Sequence, residues 1–335
     1  MDYRSLNEVM QYFSDNDNFL IVIHDKPDGD AVGSSTALAL FLSSIGKTSV
    51  VLSPSLIPAR LAFAKCDSVN YIEGIEALTV SKYKYEAVTS IDVASPELIS
   101  EITPLLNKKI GLVIDHHRVN TLEADLKCID STASAAGEIV FSLISMYSMV
   151  MNQDYFSKEI CEALFTSISS DTGCFKYGNT TATTHEFASY LLRYGINAEE
   201  INRMLFDTKT LTQVKAEQLA YDKLQMHYDN KLAITCIDKC DLENIGATEE
   251  DTETISQLTR MIAGVQIGVM MREKAFSDGK IGYKFSVRAN ADTDVSELCA
   301  KFGGGGHKKA AGCTIYADKQ SALKSFIEAA EKYII

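Results

Sequence analysis

Short apolar runs alternate with segments of helical periodicity along the first part of the chain. Four of these runs have the length of a buried strand, and they lie at residues 19–23, 48–52, 87–91 and 110–114. Such alternation is typical of a parallel sheet whose strands are joined by crossover helices. The pattern therefore predicts an α/β fold with an N-terminal parallel sheet.

Helices are predicted between and after these strands. The first follows Asp30. Two more are predicted over residues 135–147 and 154–169, and another begins near Thr183, which would form a capping box with Glu186. Residues 195–225 are polar and helical in pattern, which suits a connecting segment.

The pattern changes in the last third of the chain. Strand-like runs lie at residues 232–237, 266–271 and 281–287, and a final helix is predicted over residues 319–333. We therefore expect a second, smaller α/β domain that follows the helical segment.

Charge and cysteine content narrow the class of protein. A net charge of −13 disfavours non-specific binding of long nucleic acids, which requires a continuous basic surface. The run at residues 19–23 is too short for a signal peptide or membrane span, so we expect a cytoplasmic protein whose eight cysteines are reduced. Cys236 and Cys240 resemble half of a zinc site, but no second ligand pair lies nearby in sequence.

Three of the apolar runs end directly at acidic and imidazole side chains. These side chains are, in chain order, His24, Asp28, Asp30, Asp92, Asp115, His116 and His117. Asp171 ends a helical segment, and the Thr172-Gly173 pair that follows it predicts a chain reversal. Because functional groups beyond the carboxyl ends of strands converge on one crevice in an open α/β sheet, we expect these side chains to meet.

The mixture of carboxylates and imidazoles predicts a site for divalent cations. Several carboxylates cannot all ionise in one crevice unless cations neutralise them. Oxygen donors with one or two imidazoles favour Mn²⁺, with Mg²⁺ less preferred, and the lack of thiolates disfavours structural zinc. Two ions about 3.5 to 4 Å apart would polarise a phosphoryl oxygen and generate a hydroxide at neutral pH. The pattern thus predicts hydrolysis of phosphate esters.

Other acids and histidines are expected to have ordinary roles. Asp25 and Asp130 suit an N-cap or a turn. His185 and His227 lie in helical or loop context and are expected to be structural or solvated. The remaining four of the six histidines lie in short clusters with Gly or Asp after apolar runs, which favours a functional role for them.

Four motifs occur in a specific order along the chain. They are His24-x-x-Pro27-Asp28-Gly29-Asp30-Ala31-x-Gly33-Ser34, Asp92, Asp115-His116-His117 and Asp171-Thr172-Gly173. In this order they resemble the motifs of the DHH phosphoesterase family, over almost the whole chain. The resemblance implies a DHH catalytic domain over residues 1–194, a helical linker over 195–225 and a DHH-associated substrate-binding domain over 226–335. It also implies an active site in the cleft between the two domains.

The resemblance further implies a role for each motif residue. Two metal ions are implied, with ligands His24, Asp28 and Asp92 for one and Asp30, Asp92, His116 and Asp171 for the other. Asp92 would bridge the two ions. Asp115 would orient a ligand, and His117 would face the substrate to stabilise charge or donate a proton.

A glycine run near the end of the chain is followed by basic residues. Successive N–H groups in residues 303–306 can form an anion-binding nest, and a hinge is the alternative. The segment from Arg288 through this run resembles the substrate-binding domain of the branch that hydrolyses short oligoribonucleotides and 3′-phosphoadenosine 5′-phosphate. The candidate substrate-binding residues are Arg288, Gly304, Gly305, Gly306, His307 and Lys308.

Motifs and composition together predict a metal-dependent phosphoesterase. Its expected partners are RNA fragments of about two to five nucleotides and small nucleotides. We do not expect it to bind long nucleic acids or membranes. A phosphodiesterase for cyclic or linear dinucleotides is the first alternative, and a non-catalytic nucleotide-binding sensor is the alternative of another class. The sequence leaves the oligomeric state open, with a homodimer as one option.

Overall fold

The computed structural model describes residues 3–80, 83–252, 254–275, 281–290 and 292–334. The chain divides into two compact units, one that ends at Thr208 and one that begins at Lys209. Each unit contains a six-stranded sheet and its own hydrophobic core. Among the described residues, none of the helices combines the length and apolar content that crossing a bilayer requires.

The sheet of the first unit is entirely parallel. Its strands are β1 (Phe19–Val22), β2 (Ser49–Ser53), β3 (Asn70–Glu73), β4 (Ala87–Ile91), β5 (Leu112–Asp115) and β6 (Leu126–Ile129). They lie in the order β3-β2-β1-β4-β5-β6. The order therefore reverses between β1 and β4, and ligands of open α/β sheets bind in the crevice at such a point.

Burial on both faces of this sheet explains the continuous apolar runs. Phe19 and Ile21 of β1 pack into the core on one face, whereas Leu20 and Val22 pack on the other. A parallel sheet that is covered on both faces requires apolar side chains at successive positions rather than at alternate ones. The predicted α/β fold with a parallel N-terminal sheet is confirmed.

Seven helices of the first unit surround the sheet in the described part of the chain. They are α1 (Tyr3–Asp15), α2 (Gly29–Ser44), α3 (Ile75–Val80), α4 (Ala136–Met151), α5 (Lys158–Asp171), α6 (Ala182–Leu192) and α7 (Ala198–Asn202). A π-helical turn follows α7 at Arg203–Asp207, and 3₁₀ turns lie at Ala59–Ala64, Pro96–Ile99 and Thr103–Leu105.

Helices α2 and α5 pack unusually closely. A Cβ atom added to Gly33 would lie 2.5 Å from the carbonyl oxygen of Ala163, so only glycine permits this approach. A Cβ atom at Gly29 would likewise meet Ser170. The N-terminal end of α2 and the C-terminal end of α5 are therefore side by side, and Asp171 lies at that end of α5.

One predicted helix start and one predicted capping box are wrong. Helix α5 begins at Lys158 rather than near residue 154, because the Ser157 side chain caps it by accepting a hydrogen bond from the Ile160 amide. The capping box predicted for Thr183 and Glu186 is formed instead by Thr181 and Thr184. Candidate capping residues were close together in sequence, and only the backbone geometry distinguishes them.

The second unit has a mixed sheet. Its strands are β7 (Gln225–His227), β8 (Leu232–Ile237), β9 (Ile267–Ala275), β10 (Ile281–Ala289), β11 (Gly305–His307) and β12 (Ala310–Ile315), in the order β11-β12-β10-β9-β8-β7. Only β8 and β9 pair in parallel. The helices are α8 (Leu211–Asp222), α9 (Lys239–Ile245), α10 (Ile255–Arg260), α11 (Val295–Ala300) and α12 (Lys319–Ala330), and 3₁₀ turns lie at Glu250–Thr252 and Glu331–Tyr333.

Helix α8 packs on the second sheet although it lies in the segment predicted as a linker. Ala216 and Ala220 of α8 share a buried cluster with Ile237 and Leu242. The Thr235 hydroxyl donates a hydrogen bond to the Ala220 carbonyl at 2.8 Å. The helix therefore belongs to the second unit.

Candidate metal centre

Acidic and imidazole side chains cluster where β1, β4 and β5 end. These three strands are neighbours in the sheet, so the loops that leave them emerge side by side at the point where the strand order reverses. Helices α2 and α5 add residues from their adjacent ends. The structure brings together all six predicted metal ligands, namely His24, Asp28, Asp30, Asp92, His116 and Asp171.

The first group contains His24, Asp28 and Asp92. The His24 Nε2 atom lies 3.9 Å from Asp28 Oδ1 and 3.7 Å from Asp92 Oδ2. Asp28 is also the N-cap of α2, and its Oδ1 accepts hydrogen bonds from the amides of Asp30 at 2.9 Å and Ala31 at 3.1 Å. The start of the helix thus orients this carboxylate.

The second group surrounds the imidazole of His116. Its Nε2 atom lies 3.5 Å from Asp30 Oδ2, 3.6 Å from Asp92 Oδ1 and 3.3 Å from Asp171 Oδ2. All three distances exceed those of good N–H···O hydrogen bonds. Ligand atoms that share one ion at roughly 2.0 to 2.2 Å are themselves about 3 to 3.5 Å apart, so this spacing suits a shared cation.

Asp92 belongs to both groups and is the most constrained of the candidate ligands. Its side chain is 3% exposed, and its Oδ1 atom has no hydrogen-bond partner. Burial and the nearby carboxylates of Asp30 and Asp28 raise its pKa well above the usual value. Its backbone is left-handed, with φ of +58°, a strained conformation that is often found at functional sites. A cation beside Oδ1 would satisfy this buried oxygen and stabilise the ionised form.

Asp30 connects the candidate metal ligands to helix α4. It is fully buried, and its carboxylate accepts hydrogen bonds from the Ala136 amide at 2.8 Å, the Gly137 amide at 3.3 Å and the Ser167 hydroxyl at 2.5 Å. It therefore caps α4 from a distant part of the chain. Burial raises the pKa of Asp30, and burial together with Asp30 raises the pKa of Asp171 well above its usual value.

Asp115 precedes the two histidines of its motif and forms hydrogen bonds with both of them. Its Oδ1 atom accepts hydrogen bonds from the His116 amide at 2.8 Å and from His117 Nδ1 at 2.7 Å. Although burial opposes its ionisation, the hydrogen bonds with His117 and Asn120 lower the pKa of Asp115. The hydrogen bond to Asp115 in turn raises the pKa of His117.

His117 lies at the edge of the cluster. About a third of its side chain is exposed, at 33%. Its Nδ1 atom is 3.7 Å from Asp92 Oδ1, and it forms a third candidate group with Asp92 and His116. His117 therefore lies beside the candidate ligands with part of its side chain exposed.

Two side chains that hold the site were missed by sequence reasoning. Asn120 donates a hydrogen bond to Asp115 Oδ2 at 2.6 Å, and Ser167 donates to the buried Asp30. Both are ordinary polar residues in sequence. The only signal for Asn120 was its place in the loop after the Asp-His-His motif, and Ser167 had none beyond a run of small polar residues in α5.

The candidate substrate-binding residues lie in the second unit. The glycine run is not a hinge, because Gly305–His307 forms β11 and pairs with β12. A Cβ atom on Gly304 would lie 2.1 Å from the carbonyl oxygen of Gly312, which explains the glycine there. The carbonyls of Lys308 and Lys309 accept hydrogen bonds from the amides of Val295 at 3.0 Å and Ala289 at 2.9 Å, so the turn is held firmly.

Arg288 occupies the same row of the second sheet as this turn. In the strand register, Arg288 of β10 and His307 of β11 both lie opposite Ala310 of β12, on its two sides. Arg288 is half-buried and Lys308 is exposed. The structure thus brings Arg288, the glycine run and Lys308 to one end of the sheet.

Asp130 and His185 have the ordinary roles that were expected of them. Asp130 accepts hydrogen bonds from the Thr132 amide and hydroxyl, as a turn former does. The His185 ring stacks on Phe175 with 5.4 Å between centroids. All eight cysteines are free, and among the described residues no group of metal ligands includes Cys236 or Cys240.

Comparison with known proteins supports the assignment drawn from the motifs. Residues 18–168 match the DHH family, N-terminal domain, and residues 229–335 match the DHHA1 domain. A relative from Thermus thermophilus, named bifunctional oligoribonuclease and PAP phosphatase NrnA, is 28% identical over 311 residues. The alignment covers 92% of this chain and 88% of the relative.

Solved structures share the fold at low sequence identity. An exopolyphosphatase-related protein from Bacteroides fragilis superposes with a TM-score of 0.87 and 24% identity, covering 99% of this chain and 97% of that one. RecJ from Thermus thermophilus, solved in complex with Mn²⁺, superposes with a TM-score of 0.56 and 14% identity. That alignment covers 99% of this chain and 55% of RecJ. The chain therefore belongs to the DHH family, with an N-terminal DHH domain that is followed by a DHHA1 domain.

Proposed function

We propose that the protein is a metal-dependent phosphoesterase. Its substrates are RNA fragments of about two to five nucleotides, which it hydrolyses to mononucleotides, and 3′-phosphoadenosine 5′-phosphate, which it converts to AMP. The observation that carries the proposal is the cluster of four carboxylates around two imidazoles, in which Asp92 Oδ1 is buried without a hydrogen bond. The activities named for the Thermus relative support the choice of substrates.

The cluster is proposed to bind two divalent ions, with Mn²⁺ preferred over Mg²⁺. Oxygen and imidazole donors without thiolates favour these ions, and the manganese complex of RecJ supports the choice. His24, Asp28 and Asp92 would hold one ion, and Asp30, Asp92, His116 and Asp171 the other. When bound, such ions neutralise the carboxylates, polarise a phosphoryl oxygen and lower the pKa of a coordinated water.

His117 is proposed to supply a proton to the leaving oxygen. Its Nδ1 is bonded to Asp115, so its Nε2 remains available to a substrate. Because this hydrogen bond raises the pKa of His117, the protonated ring is more populated at neutral pH than that of an ordinary histidine. Asp115 would keep the ring in the orientation that this transfer requires.

The second unit is proposed to bind a terminal phosphate of the substrate. Arg288 presents a planar guanidinium that can bind two phosphate oxygens, and exposed Lys308 adds positive charge nearby. The segment of Gly304, Gly305, Gly306 and His307 lies on the far side of β12 from Arg288. At Gly305 nothing lies within 4 Å of an added Cβ atom, so a ligand can approach the backbone there. Recognition of a terminal phosphate favours short substrates, and the net charge of −13 disfavours long strands.

The eight free cysteines agree with a reducing compartment, and we propose a cytoplasmic location.

A substrate panel tests the proposed activity. A trinucleotide RNA, 3′-phosphoadenosine 5′-phosphate, cyclic di-AMP and a long RNA strand are incubated with Mn²⁺ and, in parallel, with EDTA. We expect turnover of the first two substrates with Mn²⁺ and none with EDTA.

Each other outcome of the panel points to a specific alternative. Preferred turnover of cyclic di-AMP would replace the proposal by a dinucleotide phosphodiesterase. A labelled dinucleotide that binds and stays intact with Mn²⁺ present would indicate a sensor. Turnover that EDTA does not reduce would contradict the metal-dependent mechanism.

A further inference from the structure

One amide side chain connects two strand ends that carry candidate metal ligands. Asn120 lies in the loop after β5, and its Nδ2 donates hydrogen bonds to the Val93 carbonyl at 2.8 Å and to Asp115 Oδ2 at 2.6 Å. Its Oδ1 accepts a hydrogen bond from the Leu122 amide at 3.0 Å. Val93 directly follows Asp92 at the end of β4, whereas Asp115 ends β5. The amide therefore spans the two neighbouring strands.

The chemistry of the three partners determines the orientation of this amide. The Val93 carbonyl and the Asp115 carboxylate only accept hydrogen bonds, so the nitrogen must face them. The Leu122 amide only donates, so the oxygen must face it. An aspartate would place a third acceptor against two others, and an aliphatic residue would leave both acceptors without this donor. An amide is the group that fits all three partners.

Asn120 completes the hydrogen bonds of the Asp115 carboxylate. Asp115 Oδ1 is bonded to the His116 amide and to His117 Nδ1, and Oδ2 is bonded to Asn120. With both oxygens engaged, the carboxylate cannot rotate without losing hydrogen bonds, so it orients the His117 imidazole and fixes the backbone at His116.

Asn120 also forms a hydrogen bond at the end of β4, next to Asp92. The left-handed backbone at Asp92, with φ of +58°, persists only where surrounding contacts hold it. One such contact is the hydrogen bond from Asn120 to the next carbonyl, that of Val93. A second one is the bond from the Thr121 amide to the Ala94 carbonyl at 2.9 Å, which ties the same two loops together.

We propose that Asn120 is a positioning residue of the metal centre. Its amide sets the end of β4 relative to the end of β5, and so keeps Asp92 beside His116 and His117. The inference rests on the proposed function for the chemistry of the site. Its test is nevertheless independent of turnover, because ion binding can be measured without a substrate.

The principal test is the affinity of Asn120→Ala for Mn²⁺, measured by calorimetry on the full chain without substrate. We expect Mn²⁺ to bind about 10- to 100-fold more weakly, as is usual when a residue that supports metal ligands is lost. With a trinucleotide RNA, kcat should fall by a similar factor, and KM should change less than about twofold.

The chain offers a matched control at Asn290. Its Nδ2 also donates to two backbone carbonyls, those of Arg260 at 2.6 Å and Val265 at 2.8 Å, but in the second unit. Asn290→Ala should lower the melting temperature without changing the Mn²⁺ affinity. Equal losses of Mn²⁺ affinity in the two alanine variants would show a general structural effect and overturn the proposal.

A second substitution keeps the test decisive if Asn120→Ala fails to fold. Asn120→Ser retains one donor and should weaken Mn²⁺ binding by less than alanine does, but still measurably. A folded Asn120 variant with Mn²⁺ affinity and kcat within about twofold of the wild type would overturn the positioning role. A wild type that binds Mn²⁺ but hydrolyses none of the substrates would refute the proposed function instead, and the Asn120 comparison would still be decided by ion affinity.

Discussion

The two units of this protein present sites of opposite character. In the first unit, carboxylates lie beside one another, and burial together with the neighbouring carboxylates raises the pKa values of Asp30, Asp92 and Asp171. In the second, Arg288 and Lys308 lie at one end of a sheet beside a run of glycines. The first site has the charge to suit cations, whereas the second suits an anion. A phosphate ester that binds with divalent cations needs both kinds of site.

The two sites are also held in place by different means. Backbone amides at helix starts orient the acids, since Asp28 caps α2 and Asp30 caps α4. In the second unit, the lack of a side chain at Gly304 allows the strands to approach. We therefore expect the candidate metal centre to be sensitive to the removal of atoms, whereas the pairing of β11 with β12 should be sensitive to their addition.

The largest effect should follow removal of the carboxylate that is proposed to be shared by both ions. Asp92→Ala should reduce kcat for every substrate by about a thousandfold or more, because it removes several kcal/mol of charge stabilisation. Asp125→Ala is the control, since that exposed acid pairs with Lys109 outside the cluster. Steady-state kinetics with a trinucleotide RNA checks both variants. Near-normal turnover in Asp92→Ala would mean that Asp92 does not bridge.

A smaller and more selective effect is expected in the second unit. Arg288→Ala should raise KM about 10- to 100-fold for substrates with a terminal phosphate, because a charge-assisted hydrogen bond contributes roughly 1.5 to 3 kcal/mol. The effect on kcat should be small. Arg272→Ala is the control, because that arginine is engaged by Glu249 and Thr252. An equal KM increase for dinucleotides with and without a terminal phosphate would argue against phosphate recognition by Arg288.

Two glycines of the run provide a matched pair for stability. Gly304→Ala should destabilise the protein by about 1 to 3 kcal/mol, because its Cβ would lie 2.1 Å from the Gly312 carbonyl oxygen. Gly305→Ala should change stability little, since nothing lies within 4 Å of its added Cβ. Denaturant unfolding of both variants checks the difference. Similar stabilities would show that close approach of the strands is not what requires Gly304.

The smallest effect concerns the burial of Asp92 and its repulsion by the neighbouring acids. The pKa of Asp92 is raised in the folded protein, so the metal-free protein loses stability as the pH rises above the ordinary aspartate pKa of about 3.9. Asp92→Asn removes this penalty and should stabilise the metal-free protein at pH 8 by about 0.5 to 2 kcal/mol, with a smaller gain at pH 5. Excess Mn²⁺ should reverse the order, because it stabilises only the wild type.

Thermal unfolding at the two pH values, with and without Mn²⁺, measures these differences. Asp130→Asn is a control of opposite sign. Despite partial burial, hydrogen bonds with Thr132 lower the pKa of Asp130, so its loss should destabilise the protein at neutral pH. A metal-free wild type that is more stable than Asp92→Asn at pH 8 would contradict the claim that ionised Asp92 destabilises the folded protein.

Sequence patterns predicted the strands that are buried on both faces. Strands β4 and β8 have the predicted bounds, and the first ligand motifs follow β1, β4 and β5 as expected. Strands β3 and β6 were missed because they lie at the two edges of their sheet and are only partly buried. An edge strand contacts a neighbour on one side alone and therefore lacks a continuous apolar run.

The candidate ligands were predictable because each lies close to the end of a recognisable strand or helix in the sequence. The side chains that orient them were not, since their contacts depend on the folded chain. Ser167 reaches Asp30 across 137 residues of sequence. Asn120 is near Asp115 in sequence, yet only the turn of its loop directs its amide back toward both strand ends.

The most direct measurement is anomalous diffraction from crystals of the full chain soaked in Mn²⁺. We predict two manganese peaks, one among His24, Asp28 and Asp92 and one among Asp30, Asp92, His116 and Asp171. Both peaks should lie within coordination distance of the Asp92 carboxylate. Manganese bound only elsewhere, or no peak beside Asp92, would contradict the account.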